Sequence, residues 1–387
     1  MRISFTGDIM CELTTLRKIK KNNFNFNGMF SETNIFSKTD YLIGNLETVL
    51  AGKKLKYSRD IYSYNTPDTI VNELKKSGFN MLSTANNHCL DRGAEGLTRT
   101  IDILKNNDIE YIGTNKYNTD MRYRIIELEG LKIGLLAYTY GSNYSINKQK
   151  LSKNDEYMVN FFEEQDWIDE SRKDFYSIVK EKLISAENRV KILKKLKKTY
   201  NRPRVDNKKL KPLDNKLLED VKFLKKNSDF VILMMHSGGQ FNRNPGMYTL
   251  ELVKQLQRIG VDFVIGHHPH VVQKCEFNKN KFVAYSLGNF FLSPDTVYLI
   301  DENLPLYSIV LHIDINNKTD YEISFSISKT IKEKSFEKVA DTYDLFNCEK
   351  SDRIKLLNDC KQIYRTFTGK DNFQMQKEYK LLRSTND

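Results

Sequence analysis

Along the chain, short β-type apolar runs alternate with stretches whose apolar positions recur every three or four residues. Ile3 to Thr6 and Tyr41 to Gly44 read as strands. Thr66-Pro67 reads as the N-cap and first residue of a helix that buries Ile70, Val71 and Leu74 and stops at Gly78. Phe79 to Thr84 is the next strand, and Leu97, Ile101 and Leu104, at i, i+4 and i+7, mark a second helix. Ile109 to Ile112, Tyr123 to Leu128 and Leu131 to Tyr138 follow as strands. The pattern breaks from about Ser145 to Leu213, a charged, helix-permissive stretch without glycine that reads as an insertion. Alternation then resumes, with helices at Leu217 to Leu224 and Tyr248 to Ile259 and strands at Phe230 to Met235 and Val261 to Ile265. Val271 to Phe277 and Phe282 to Leu287 flank a turn and read as a hairpin. Beyond Thr330 the tail is charged and helix-permissive. Repeated β/α alternation predicts an α/β sheet architecture.

Length and composition refine this picture. At 387 residues the chain exceeds what one core of about 250–300 residues holds, so one large domain with an insertion, or two domains, is expected. Apolar residues at 40%, with 22 Phe and 21 Tyr, exclude wholesale disorder. The net charge of +11 is local: eleven basic residues between Arg189 and Lys211, opposed by Asp206 alone, carry nearly all of it. Val190, Leu193 and Leu196 give that segment a narrow apolar stripe, on a helix expected to end before Pro203. Such a segment could dock an anionic polymer or membrane-associated machinery, or it could be the solvated face of an insertion. Without an aromatic stacking platform or zinc-finger spacing, nucleic acid is not the expected partner. Apolar runs such as Phe230 to Met235 fall far short of the roughly 18–20 residues that span a bilayer, and MRISFTGDIMCEL lacks the apolar stretch of a signal peptide. A cytoplasmic location is expected. Cys11, Cys89, Cys275, Cys348 and Cys360 form no CxxC pair and are expected to be reduced, small buried hydrophobes.

The chemistry lies where the strands end. RISF runs into Thr6-Gly7-Asp8, YLI into Gly44-Asn45-Leu46-Glu47, and FNMLST into Ala85-Asn86-Asn87-His88, with Asp91 just beyond. FVILMM runs into His236-Ser237-Gly238, VDFVI into Gly266-His267-His268-Pro269-His270, and FVAYSL into Gly288-Asn289. Ligand sites of α/β sheets lie beyond the carboxyl ends of the strands, so these clusters should converge. Singly they mean little: Asp8 alone reads as a turn residue, Glu47 as a surface carboxylate, and His236 as a satisfied core histidine. The pair His268 and His270, on one side of a segment expected to be extended, is harder to explain structurally. Five of the six histidines fall in these clusters, His312 being the exception. Mixed nitrogen and oxygen donors suit Mn, Zn or Fe.

GD at the first strand, NLE at 45–47, ANNHCLDRGAEGL at 85–97, His236-Ser237-Gly238, HHPHVVQ at 267–273 and SLGNF at 286–290 together resemble the bacterial CapA-type capsule proteins. These are also called poly-gamma-glutamate synthesis proteins and belong to the calcineurin-like metallophosphoesterase superfamily. YTYGSN at 138–143 also resembles a family element. The resemblance covers roughly Ile3 to Leu292. It implies a four-layer α/β/β/α sandwich over 1–330, carrying the charged insertion at 145–213, with 331–387 as a C-terminal helical extension. It implies one or two divalent transition metals held by Asp8, Glu47, Asn87, His236, His268 and His270, with Glu47 in the bridging position. His88 would protonate a leaving group, and Asp91 would orient it.

Two departures bear on the site. The superfamily has a histidine two residues after the first aspartate, where this chain has Met10, so one metal position loses an imidazole. The family's His-Trp-Gly motif, followed by an acid and Tyr, becomes Ser237, Gln240 and Phe241 here, and Gln240 cannot act as a base. His267 is the least securely placed of its cluster. Two functions follow from the resemblance. One is a metal-dependent hydrolase acting on a phosphoester or a γ-glutamyl amide. The other is a non-catalytic accessory that binds an anionic polymer for capsule or polyglutamate synthesis or export.

Overall fold

The computed structural model describes residues 1–31, 33–59, 61–163, 184–195, 209–333, 336–348 and 352–384. Among these residues the chain opens with strands β1 (Arg2–Ile9), β2 (Tyr41–Leu46), β3 (Phe79–Ser83) and β4 (Glu110–Ile112), which pair in parallel in that order. It then builds a second sheet from β5 (Tyr123–Leu128), β6 (Leu131–Thr139), β7 (Phe230–His236), β8 (Phe263–His267), β9 (Cys275–Asn278) and β10 (Lys281–Ala284), in the order β5-β6-β7-β8-β10-β9. β11 (Asn289–Phe291), β12 (Tyr307–Ile315), β13 (Tyr321–Lys332), β14 (Glu337–Asp341) and β15 (Tyr379–Ser384) return to the first sheet, where β12 pairs antiparallel with β1. The helices are α1 (Leu13–Ile19), α2 (Ile70–Lys76), α3 (Gly93–Asn106), α4 (Tyr144–Asn147), α5 (Ala186–Lys195), α6 (Asn215–Asn227), α7 (Met247–Ile259), α8 (Thr342–Cys348) and α9 (Arg353–Thr368).

Strand alternation makes the layers. Along β6 and β7, Ile133, Leu135, Ala137, Ile232 and Met234 face the first sheet and join Ile3, Phe5, Ile43 and Met81 in one core. Leu136, Val231, Leu233 and Met235 point the other way and pack on Leu217, Val221 and Leu224 of α6 and Leu252 and Leu256 of α7. On the outer face of the first sheet, Leu42, Leu46 and Leu82 pack on Ile70 and Leu74 of α2 and Leu97, Ile101 and Leu104 of α3. Central strands apolar on both faces need a layer on each side, and four layers, α/β/β/α, are the result.

The sequence expectations differ from the structure in four places. Helix α2 starts at Ile70. Thr66 instead lies buried in the preceding loop, its hydroxyl 2.9 Å from that of Thr48. The stretch from Ser145 is not insertion at its start: Val159 and Phe161 bridge to Thr114 and Thr139, and Phe162 is buried beside α6. The Glu163 carboxylate accepts from the Lys211 backbone N–H at 2.8 Å, and between them α5 returns to the body, where Val190 is buried with Met10 and Leu13 and Glu187 pairs with Arg17. The tail after 330 holds α8 and α9, but β14 and β15 extend the first sheet, and Leu356, Cys360, Ile363 and Phe367 of α9 pack into the inter-sheet core. Of the cysteines, Cys348 is exposed and Cys275 half-buried, while the other three are buried thiols. The basic segment is described only at 189–195 and 209–211, so Leu196 and the expected helix end at Pro203 lie outside the described residues.

Candidate metal centre

The parallel strands β1, β2 and β3 of one sheet and β7, β8 and β10 of the other end on the same side of the sandwich, and their terminal side chains meet there. Backbone contact fixes the first of them. A Cβ on Gly7 would come 2.0 Å from the Gly288 carbonyl oxygen, and that oxygen accepts the Asp8 N–H at 2.9 Å. The glycines of TGD and SLGN therefore let β1 and β11 approach and set Asp8 in register with Asn45 and Asn289.

Asp8, Glu47, Asn87, His88, Asp91, His236, His268 and His270 are all buried, none more than 4% exposed. His236 Nε2 lies 2.8 Å from Asn87 Oδ1, 3.1 Å from His268 Nδ1 and 3.6 Å from Glu47 Oε1. His270 Nε2 lies 3.6 Å from the same Glu47 oxygen, and its Nδ1 lies 3.3 Å from Asp8 Oδ2. Two donor groups emerge, Glu47 with His268 and His270, and Asp8 with Glu47 and His236, each with its ligand atoms within 4.8 Å of one another. Glu47 is common to both.

The donor set fits a cation better than it fits itself. Both carboxylate oxygens of Glu47 are buried without a hydrogen-bond donor. An unpaired carboxylate in such a place costs several kcal/mol, roughly, so the group either takes a proton or meets a cation. In the metal-free protein, burial and then Asp8 push Glu47 well above its ordinary range. Burial and then His268 push His236 well below its own, and burial and then His270 do the same to His268. For Asp8 burial pushes upward, but His270 and His267 outweigh it and hold the carboxyl below its usual range. The donor atoms lie 2.8 to 3.6 Å apart in the pairs given above, close to the spacing of roughly 3–3.5 Å between ligands that share one ion. Neutral imidazoles facing carboxylate and amide oxygens are the form a transition metal takes.

The HPH turn brings its two imidazoles together differently from the expected extended segment. His268 (φ 96°) and His270 (φ 58°) both adopt left-handed backbone, and their ring centroids lie 5.7 Å apart. Left-handed non-glycine residues are costly and cluster at functional sites. His267 points elsewhere, its Nε2 3.0 Å from the Thr6 carbonyl oxygen, and ties β8 to β1. Met10 is buried among Leu13, Tyr64 and Phe241, in an apolar cluster beside the centre. Phe241 joins that cluster, with its ring 5.9 Å from that of His270, while Gln240 is half-buried.

His88 Nδ1 lies 2.6 Å from Asp91 Oδ2. A carboxylate oxygen accepts, so Nδ1 carries the proton, and Nε2 is left facing Glu47 at 4.0 Å. Several supporting residues were not assigned from the sequence. Asn45 donates to Asp8 Oδ1 at 2.7 Å. Asn289 Oδ1 lies 3.0 Å from His270 Nδ1, and His270 Nε2 faces Glu47. Asn147 donates to Asp91 Oδ1 at 3.0 Å, and the Asn143 backbone N–H donates to the Asn87 carbonyl at 2.8 Å. The Tyr140 ring lies 4.8 Å from that of His268. The signal for Asn45, Asn143 and Asn289 was their place in the NLE, YTYGSN and SLGNF motifs.

Comparison with known proteins follows the same residues. The family described as "Bacterial capsule synthesis protein PGA_cap" matches residues 2–293. "PGA biosynthesis protein CapA" of Bacillus subtilis (strain 168) is 24% identical over 373 residues, covering 91% of this chain and 83% of the relative. "Capsule biosynthesis protein CapA" of Bacillus anthracis is 26% identical over 322 residues, covering 80% of this chain and 64% of the relative, less than two thirds of its length. The chain belongs to the bacterial capsule synthesis protein PGA_cap family, the CapA-type group of the metallophosphoesterase-like superfamily.

Proposed function

We propose that this protein is a metal-dependent hydrolase of a phosphoester or a γ-glutamyl amide in capsule or polyglutamate metabolism, with an anionic polymer or a phosphoester as substrate. The observation that carries the reading is Glu47, a buried carboxylate without donors, facing His236 and His270 at 3.6 Å from each. Asp8, Glu47, Asn87, His236, His268 and His270 would hold one or two ions. A divalent cation bound there supplies charge stabilisation and a more acidic water. The chain's own residues do the rest. The Nδ1–H of His88 donates to Asp91, so Nε2 is the atom that faces the centre, and it would give a proton to the leaving group only from the doubly protonated imidazolium, which Asp91 stabilises. Asn289 and Asn45 fix the orientations of His270 and Asp8.

The names of the B. subtilis and B. anthracis relatives place them in PGA and capsule biosynthesis, which supports the same metabolic setting for this chain. Purified protein loaded with Mn, Zn or Fe should turn over a model phosphodiester or a γ-glutamyl polymer, and His268→Ala should abolish it. Bound metal with no turnover on either substrate would remove the hydrolase reading and leave the accessory role. Among the described residues, no helix is long and apolar enough to cross a membrane.

A further inference from the structure

We infer that Tyr64, in the loop between β2 and α2, is a positioning residue that locks the His88–Asp91 pair by covering one face of the imidazole. The inference rests on the reading of His88 as proton donor. Tyr64 is buried, and its ring stacks on the His88 imidazole with centroids 4.0 Å apart and planes 27° from parallel. Its backbone N–H donates to Asp91 Oδ2 at 2.6 Å, the same oxygen that takes the His88 Nδ1 proton at 2.6 Å. One residue therefore holds both the face of the ring and the acceptor at its edge.

Tyr64 is itself pinned. Its hydroxyl donates to the Ile61 carbonyl at 3.1 Å and lies 2.9 Å from the Tyr298 hydroxyl, and its ring belongs to the apolar cluster of Met10, Phe241 and Val271. Burial, and then Glu12, push the phenol well above its ordinary range, so it stays protonated and acts by packing rather than by proton transfer. Asn143 Nδ2 lies 3.2 Å from both ring nitrogens of His88. An in-plane atom at those two distances would collide with the carbon between the nitrogens, so the amide sits over the face that Tyr64 leaves open. A ring sandwiched on both faces and bonded at Nδ1 has no free rotation left. Nε2 can then point only toward the centre, the orientation that proton delivery requires.

The test uses the zinc-loaded full chain, with the His88 Nδ1–H resonance identified by its loss in His88→Gln. Tyr64→Phe, which keeps the stack and loses only the hydroxyl contacts to Ile61 and Tyr298, should retain that resonance. Tyr64→Leu should lose the resonance to solvent exchange and lower kcat by about 10- to 100-fold, with KM within about twofold and metal content unchanged. If Tyr64→Leu does not fold, Tyr64→Met, which fills similar volume without a ring, is read in its place. A resonance that survives in the non-aromatic variant overturns the inference whatever the rate does. Wild-type protein without turnover, but with the resonance lost in Tyr64→Leu, removes the hydrolase reading and leaves the positioning role in place.

Discussion

Strand β1 carries a polar cluster at each end, half-buried at its start and fully buried at its finish, and the two are built on opposite principles. At its start, Arg2 donates to Asp314 at 2.8 and 2.7 Å and to Glu378 at 3.0 and 2.9 Å. Two residues on, Ser4 lies 2.8 Å from His312 Nδ1, and His312 Nε2 lies 3.3 Å from the Ser326 hydroxyl. Donors meet acceptors, and β1, β12, β13 and the approach to β15 are tied together. At the other end Asp8, Glu47 and three imidazoles crowd together, and the two Glu47 oxygens have no donor at all. Burial alone does not explain the difference: Arg2, Asp314 and Glu378 are only half-buried, but His312, in the same cluster, is as buried as His236 or His268. Satisfaction does: in one cluster donors and acceptors are matched, and in the other the Glu47 oxygens are left without a donor.

Substitutions at the two ends should therefore act in opposite senses. The largest effect is expected for Glu47→Gln, which should lower turnover of the loaded enzyme at least about a hundredfold. Metal-free protein should instead gain about 1–3 kcal/mol against urea at neutral pH, because a carboxyl that must take up a proton to be buried there is replaced by a neutral amide. Equal losses of stability with and without metal would break the contrast. Arg2→Ala should do the reverse, costing about 2–3 kcal/mol in urea melts whether or not metal is present and leaving metal content unchanged.

Support residues should show graded effects. Asn289→Ala removes the amide partner of His270 Nδ1, leaving Asp8 Oδ2 at 3.3 Å, and should weaken metal binding by about 10–100-fold in competition with a chelator, with a far smaller effect on the melt of metal-free protein. The smallest effect is one of pH. Burial, and then Arg2, push His312 down to about 4 from 6.5. The folded state binds this proton less readily than the unfolded chain, so stability at His312 is complete above about pH 6.5 and is lost as pH falls toward 4. His312→Gln should flatten that part of the stability–pH curve, measured by urea melts in metal-free protein. An unchanged slope would show that other groups carry the acid sensitivity.

How much of this was legible in the sequence depends on where the information lies. The sheets and their covering helices were legible because strands buried on both faces and helices at i, i+4, i+7 leave strong local patterns, as in Leu97, Ile101 and Leu104. The convergence of the candidate residues was legible because polar residues interrupt apolar strands at their ends. Tyr64 was not, because its role is a stack and a backbone hydrogen bond across 24 to 27 residues of sequence, which no local pattern encodes. The HPH geometry was misread because period-two reasoning assumes extended backbone, and both histidines have positive φ. The tail was read as helix because its strands are polar on one face and lie at the edge of the sheet, where charged residues such as Lys338 and Lys380 are tolerated.

The central claim is that the end of β1 is a metal centre organised on Glu47, and metal stoichiometry tests it most directly. Wild type, Glu47→Ala and Arg2→Ala would be loaded with Mn, Zn or Fe, desalted and subjected to elemental analysis. The account predicts one or two ions per chain in wild type and Arg2→Ala, and a loss of bound metal in Glu47→Ala. Wild type that retains no metal, or Glu47→Ala that retains as much as wild type, would contradict it.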